Sequence, residues 1–575
     1  MTSSKDKDRI VGMQKGLTKY GDDEFALFLR KSFIKGAGYG DEALSRPVVG
    51  IINTGSDFNP CHGNAEELIE RVKAGVEASG ALPMAFPTIS LHESFSFPTS
   101  MYLRNLMAMD TEEMLRALPL DSVVLIGGCD KTVPAQIMGA LSADIPFVQL
   151  VAGPMRTGSF RGQRVGACTD CRRLWAEYRA GNLDEEAIAD ANNALVPSIG
   201  TCGVMGTAST MALLAGAMGL MPLNGATAPA VSADRRRIAE ETGVLAADIA
   251  KRGVKPSEFL SQAAFDNAIR VLLAVGGSTN AIIHLAAMAG RSGHDVSLDR
   301  LDKMARGVPV IVDLKPSGTG YMEDLHNAGG LVRILEALGD LIDREAITVS
   351  GKTLGEELTR YSTNWPQEVV RTTDSPLFAE GGLAVLYGNL APDGAIIKAA
   401  AASPSLLTHA GRAVVFEDMA DLAQRIDSPD LDVTAEDILV LRNIGPKGAP
   451  GMPEAGLIPI PRKLARQGVK DMVRISDGRM SGTAAGTIIL HVAPEAAIGG
   501  ALAYVKTGDI ISLNVAERRL EVRLSEAELA ARKKEMPLKT IDAPRGYAHL
   551  FHSHVLQAPD GVDFDFMRAT PRKNK

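Results

Sequence analysis

The stretch Val123-Val124-Leu125-Ile126-Gly127-Gly128-Cys129-Asp130-Lys131-Thr132 constrains the fold of this chain more than any other. Four β-favouring apolar residues without polar alternation mark a strand buried on both faces, the usual state in a parallel sheet. Two glycines end the run and allow a tight turn. Thr132 is suited to cap a helix with Pro134 in its first turn, where a missing N–H costs little. Cys129, Asp130 and Lys131 are therefore expected in a strand-to-helix loop at the carboxyl end of a strand, where open α/β sheets bind ligands. Taken alone, the tripeptide is equally compatible with a buried cysteine beside a surface ion pair.

Neighbouring segments repeat the pattern. Pro47 to Ile52 reads as a second buried strand, followed by a polar loop, 53–63, that holds Cys61. Asn64 is placed to cap a helix with an apolar face of Leu68, Ile69, Val72 and Val76, stopped at Gly80. Ala85 to Ser90 is extended and leads into His92-Glu93-Ser94, and Pro146 to Val151 is a further strand. Small-residue helices are expected over Thr207 to Met218 and after Gly276-Gly277-Ser278-Thr279-Asn280, and a strand over Val308 to Val312. Alternating strands and helices give an α/β domain with a mostly parallel sheet. From about residue 385 short strands alternate with glycine and proline loops, at 384–387, 413–416, 438–441, 472–475 and 487–492, and 510–515 with 520–524 reads as a hairpin. The expected class is thus α/β, with an N-terminal α/β domain over 1–375 and a C-terminal β-barrel-like domain over 376–575. The boundary lies between 360 and 384.

Composition excludes several classes. A net charge of −8 without a basic run gives no nucleic-acid footprint. Residues 191–233 carry no charge, yet prolines and small polar residues interrupt them, so they read as protein interior and not as a membrane span. Met1 to Ile10 is charged and lacks the apolar core of a secretory signal, which favours a cytoplasmic protein. Five cysteines in 575 residues do not make a disulfide framework.

Chemistry-bearing residues gather in three groups. Cys61, Cys129 and Cys202 each lie in a glycine-flanked loop before a helix, and three thiolates suit an iron–sulfur cluster in which one iron lacks a protein ligand. Unrelated buried cysteines are the competing reading. Glu93, Asp130 and Glu454 supply oxygen ligands of the kind Mg²⁺ prefers, although a solvated ion-pair network uses the same residues. Lys131 would repel a metal unless carbamylation by CO₂ turned it into an anion. Arg474 to Thr483 crowds hydroxyls, guanidiniums and glycines after a strand, an anion-binding surface in which a serine can be activated by a metal. Cys168-Thr169-Asp170-Cys171 has redox or zinc spacing but no second Cys/His pair nearby.

Together these motifs resemble the dihydroxy-acid and sugar-acid dehydratases, the family that includes phosphogluconate dehydratase. The likeness spans nearly the whole chain. It rests on Pro60-Cys61-His62-Gly63, Gly128-Cys129-Asp130-Lys131-Thr132, Gly200-Thr201-Cys202, Gly276 to Asn280, Gly388 to Pro392, Gly445-Pro446-Lys447-Gly448 to Glu454, and Arg474-Ile475-Ser476-Asp477 to Thr483. The resemblance implies a [2Fe–2S] cluster on Cys61, Cys129 and Cys202, and Mg²⁺ held by Glu93, Asp130, carbamylated Lys131 and Glu454. It implies Ser481 as the catalytic base, an α/β domain and a β-barrel with the site between them, and a homodimer or homotetramer. The reaction implied is a hydro-lyase dehydration of 2,3-dihydroxy acids to 2-keto-3-deoxy acids. The surroundings of Glu93 and Cys61 favour sugar acids, pentonates or hexonates; the alternative substrate is dihydroxyisovalerate of branched-chain amino-acid synthesis, or both. Cys168 and Cys171 lie outside the family's cluster motif, and a thiol-redox or zinc protein centred on them is the reading from a different class. Some sugar-acid members extend a C-terminal residue into a neighbour's pocket; the tail Thr570 to Lys575 offers no residue to which that role is assigned.

Overall fold

In a computed structural model, which describes residues 10–538 and 543–569, four buried parallel strands organise the N-terminal half. The stretches Met1 to Arg9 and Thr570 to Lys575, read above for signal and tail, lie outside the described residues. Strands β1 (Val48–Asn53), β2 (Leu82–Pro87), β3 (Ser122–Gly127) and β4 (Phe147–Val151) pair in the order β2-β1-β3-β4, with Val49 opposite Ser122 and Val123 opposite Phe147. Every residue of β3 and β4 is buried, as a strand covered on both faces must be.

Helix α1 (Ala65–Ala78) lays Leu68, Ile69, Val72 and Val76 on the sheet. Asn64 begins it but makes no cap; its amide donates instead to the Ala152 and Ala230 carbonyls, tying three segments together. Helices α2 (Ser100–Ala117) and α3 (Thr132–Ala143) pack against each other. The cap of α3 is Lys131 and not Thr132, which is its first helical residue. Helices α4 (Thr169–Ala180), α5 (Thr207–Ala217) and α6 (Asn280–Ser292) follow, and all of α5 is buried. Of the uncharged stretch, 200–230 is interior, while 192–199 lies largely at the surface, with Val196 and Ile199 exposed; among the described residues no helix is long and apolar enough to cross a membrane. The strand expected over Val308 to Val312 is reduced to two isolated bridges, Val310 to Phe378 and Val312 to Val370. Pro309, lacking an N–H, cannot sustain a ladder there.

The C-terminal half is a closed eight-stranded barrel. Its strands are β5 (Ala384–Gly388), β6 (Ala391–Ile397), β7 (Thr408–Phe416), β8 (Ile438–Leu441), β9 (Arg474–Ser476), β10 (Ile488–Leu490), β11 (Ile510–Asn514) and β12 (Arg519–Val522), in the order β8-β9-β10-β6-β5-β12-β11-β7. The expected hairpin is β11 with β12, paired antiparallel with Ile511 opposite Val522. Strand β6 was not marked by sequence pattern, because Pro392, Asp393 and Gly394 interrupt its alternation. Side chains such as Leu386, Ile397, Val440, Ile475 and Leu520 fill the barrel interior. After the barrel, α7 (Gly546–His554) and the segment behind it return to the first half. There Phe551, Val555 and Phe564 pack with Met101 and Ile283, and buried Arg291 holds Asp563 through two bonds of 2.7 and 2.9 Å.

Candidate functional site

All five cysteines converge at the carboxyl end of the parallel sheet. Cys61 has Cys129 and His92 beside it, and the Cys129 thiol donates to Asp130 Oδ1 at 3.4 Å. Cys168 bonds to both Cys171 and Cys202, with its Sγ 3.5 Å from that of Cys202. The neighbouring Cys129 holds Cys61 down at about 6 despite its burial, with His92 assisting. Cys168 is lowered in the same way by Cys171 and Cys202, while Cys129 and Cys202 are pushed up by the bonds they donate and by burial. Each pair thus keeps one sulfur ready as thiolate. The Cys168/Cys171 motif stays together and adjoins the other thiols through Cys202.

His62 makes this convergence rigid, a role its sequence context did not reveal. Its Nε2 accepts the backbone N–H groups of Gly128 and Cys129, each at 2.8 Å, while Nδ1 donates to the Thr54 carbonyl at 2.9 Å. Burial drives the imidazole down to about 4, so it stays neutral and able to accept. The loops of β1 and β3 are thereby clamped together. A side chain at Gly128 would not fit: its Cβ would lie 2.7 Å from Ala152 Cβ and 3.1 Å from Thr201. His62→Ala is expected to strand two buried N–H groups, at about 1–3 kcal/mol each. Thermal unfolding should register this as a Tm lowered by several degrees, and an unchanged Tm would show that water replaces the imidazole.

Beside the thiols stands a carboxylate triad. Oxygens of Glu93, Asp130 and Glu454 lie within 4.8 Å of one another. Glu93 follows β2, Asp130 follows β3, and Glu454 comes from the loop after β8, so both halves contribute. The buried ammonium of Lys131 sits among them, bonded to Asp130, 3.0 Å from Glu93 and 3.6 Å from Glu454. Burial and Arg479 act to lower its pKa, but the three carboxylates outweigh them and hold it above its ordinary value. Arg479, equally buried, donates to Glu454 at 2.5 Å, to Glu93 at 3.3 Å and to Thr99 at 2.8 Å. Ser100 and Thr99 also donate to Glu93, and Asn280 reaches Glu454 at 3.5 Å. A cluster of hard oxygens already centred on a cation fits a divalent metal in place of the ammonium.

The loop after β9 closes the site. Asp477 anchors it by accepting the backbone N–H groups of Asn443, Ile444 and Ala496. Ser476 is buried and its Oγ accepts the Gly478 N–H at 3.0 Å, whereas Ser481 is partly open and shares a 2.8 Å hydrogen bond with Thr483 Oγ1. Gly482 is pressed onto the starts of α5 and α6; a Cβ there would lie 2.5 Å from Ser278 Oγ and 3.0 Å from the Thr207 nitrogen. Thr169, next to Cys168, donates to the Thr483 carbonyl at 2.9 Å. The serine loop of the barrel therefore meets the thiol loops of the first half.

Under this loop lies Lys398, wholly buried, donating to the Gly482 carbonyl at 3.3 Å. Burial pushes its amine down to about 7. An unfolded chain keeps that proton to about pH 10.4, so between these values the unfolded state binds more protons and stability rises with pH. Lys398→Met should flatten that rise by up to about 1.4 kcal/mol per pH unit. Parallel Tm curves for wild type and variant from pH 7 to 10 would refute a neutral amine.

Known proteins share this sequence over most of its length. Residues 46–357 match the family model described as dihydroxy-acid/6-phosphogluconate dehydratase N-terminal, and residues 368–562 match its C-terminal counterpart. The chain is 46% identical to an L-arabinonate dehydratase of Rhizobium leguminosarum bv. trifolii, over 96% of this chain and 95% of that protein. It is 45% identical to a 6-deoxy-6-sulfo-D-gluconate dehydratase of Pseudomonas putida, over 92% of each. To a dihydroxy-acid dehydratase of Clostridium botulinum it is 35% identical, over 93% of this chain and 97% of that protein.

Proposed function

The chain belongs to the dihydroxy-acid/6-phosphogluconate dehydratase family, a family of hydro-lyases, and from that membership we propose that it dehydrates a sugar acid to the 2-keto-3-deoxy acid. The observation that carries this reading is the single loop Cys129-Asp130-Lys131. Its first residue faces the thiols and its next two enter the carboxylate triad, so a soft-metal and a hard-metal site adjoin. Buried thiols on separate loops fit a [2Fe–2S] cluster held by Cys61, Cys129 and Cys202. The oxygens of Glu93, Asp130 and Glu454 fit Mg²⁺, and Lys131 joins them only as its carbamate, since its ammonium and a cation compete for one place.

Bound there, the cluster supplies Lewis acidity toward the C3 hydroxyl, and magnesium supplies positive charge toward the substrate carboxylate. Ser481 accepts the C2 proton at Oγ, and the Thr483 hydroxyl that shares a 2.8 Å hydrogen bond with it favours its basic form whenever Thr483 is the donor. The C3 hydroxyl leaves as water, taking the proton that Ser481 removed from C2, and the enol tautomerises to the keto acid. Arg479 holds Glu93 and Glu454 in place, and Arg172, 3.9 Å from Glu454 and partly exposed, is placed to meet an anionic substrate. The preference for sugar acids is supported by the relatives: those named for aldonates and a sulfogluconate are 45–46% identical, against 35% for the dihydroxy-acid dehydratase.

The test is release of 2-keto acid from a panel of pentonates, hexonates and dihydroxyisovalerate, with enzyme loaded anaerobically with iron, sulfide and Mg²⁺. Turnover of at least one aldonate well above dihydroxyisovalerate is expected. The reverse order would assign the chain to branched-chain amino-acid synthesis instead. Colourless protein with stoichiometric zinc and no turnover would reject the dehydratase reading.

A further inference from the structure

We propose that Cys168 is a fourth thiol ligand of the iron–sulfur centre, closing the substrate-binding iron at rest and yielding to the substrate hydroxyl. The inference rests on the cluster reading above and goes beyond it. Cys61 and Cys129 stand on the two loops that His62 clamps together, and Cys168 stands 3.5 Å from Cys202 with Cys171 at its other side. A fully ligated [2Fe–2S] centre takes four cysteine ligands, which is two on each iron. Two sulfurs bound to one tetrahedral metal at about 2.3 Å stand about 3.8 Å apart, close to the 3.5 Å between Cys168 and Cys202. With Cys61 and Cys129 together on one iron, Cys202 is the lone thiolate of the other, and Cys168 is the sulfur at its side.

The surroundings hold Cys168 there. It stands at the N-terminal end of α4 with its thiol free of any capping bond, and Asp170, buried two residues on, gathers the Gly166 N–H at 2.9 Å, the Lys315 ammonium at 3.0 Å and the Tyr321 hydroxyl at 2.9 Å. On the other side Thr169 is tied to the Ser481 loop through the Thr483 carbonyl. These bonds fix the start of α4, and Cys168 with it, against the Cys202 loop. Cys171, one turn along α4, bonds to Cys168 and does not displace it.

Ligand exchange then runs without oxidation or reduction. The Cys168 sulfur leaves iron with its electron pair as a thiolate, received by the Cys171 thiol, while the substrate C3 hydroxyl oxygen donates a pair to the same iron. Departure of product allows the thiolate to return. A resting centre with no open iron is shielded from water and dioxygen, which a three-thiol centre is not.

The experiment compares anaerobically loaded wild type with Cys168→Ala, Cys168→Ser and, as control, Cys171→Ala. Iron content, Mössbauer spectra with and without the best aldonate, and the rate of bleaching in air are read. All variants should hold iron at the wild-type ratio, because three thiols remain. Resting wild type and Cys171→Ala should show two alike, all-thiolate irons that become unlike when substrate is added. Cys168→Ala should show unlike irons from the start, with severalfold faster bleaching, and Cys168→Ser a third spectrum in which one iron carries an oxygen ligand. Unlike irons already in resting wild type, unchanged by either Cys168 substitution, would overturn the proposal and leave the cluster reading standing. Absence of iron from wild type would overturn both.

Discussion

Cys129→Ser is expected to lose its iron, its colour and its activity together. Serine is nearly the same size, so the loop of β3 and its clamp by His62 survive: both bonds that His62 accepts come from backbone N–H groups. What changes is the donor, since a hard oxygen replaces a soft, polarisable thiolate toward iron. Cys168 does not compensate. It lies against Cys202 and not against Cys61, so the pair completed by Cys129 is left with one sulfur. The Cys129 thiol donates to Asp130 Oδ1 at 3.4 Å and a serine hydroxyl donates there equally well, so the carboxylate triad keeps its contacts and Mg²⁺ affinity should stay near wild type while visible absorption vanishes. Iron analysis, the absorption spectrum and a magnesium titration on the same preparation check this. Wild-type iron and turnover in the variant would sink the cluster assignment; loss of magnesium binding along with iron would mean that the loop had collapsed.

What the sequence made legible was what local chemistry determines. The apolar run at 123–126 could only be a buried strand, and the glycines after it had to release the chain at the sheet's carboxyl end. Barrel strands such as Ile438–Leu441 were visible for the same reason. Strand β6 was not, because its apolar residues sit behind Pro392 and Gly394 and only closure of the barrel orders them. Thr132 had the right chemistry for a cap, but the turn placed Lys131 at that position, since the lysine stem must enter the carboxylate triad.

The partners of a site are harder to read than its donors. His62 stood inside a quoted motif, yet nothing local says that its ring accepts two N–H groups from a loop 66 and 67 residues away. Arg479 was one guanidinium in a polar loop; only the fold carries it 386 residues back in sequence to Glu93. Cys168 and Cys171 have the spacing of a separate redox pair, and short spacing is a strong local signal. Folding sets the pair beside Cys202, because α4 begins where the Cys202 loop passes.

Ser481→Ala should remove most turnover while leaving iron, magnesium and fold intact. The hydroxyl is partly open to the site and bonds to Thr483, so its loss takes nothing from the barrel core. Positioned acid–base groups are worth about 10²–10⁴-fold in rate, and a sole base without a substitute belongs at the upper end. Ser476 is the rival, five residues earlier on the same strand and loop. Its Oγ is buried and engaged with the Gly478 N–H at 3.0 Å, the bond of a residue that shapes a turn. Ser476→Ala should therefore cost about 1–3 kcal/mol of stability through the stranded donor and little turnover. Exchange of the substrate C2 proton with solvent deuterium separates the two, since it reports proton abstraction apart from departure of the C3 hydroxyl. Ser481→Ala should abolish exchange and Ser476→Ala should retain it. Near-normal exchange in Ser481→Ala with loss in Ser476→Ala would move the base to Ser476, and with it the part of the loop that faces the substrate.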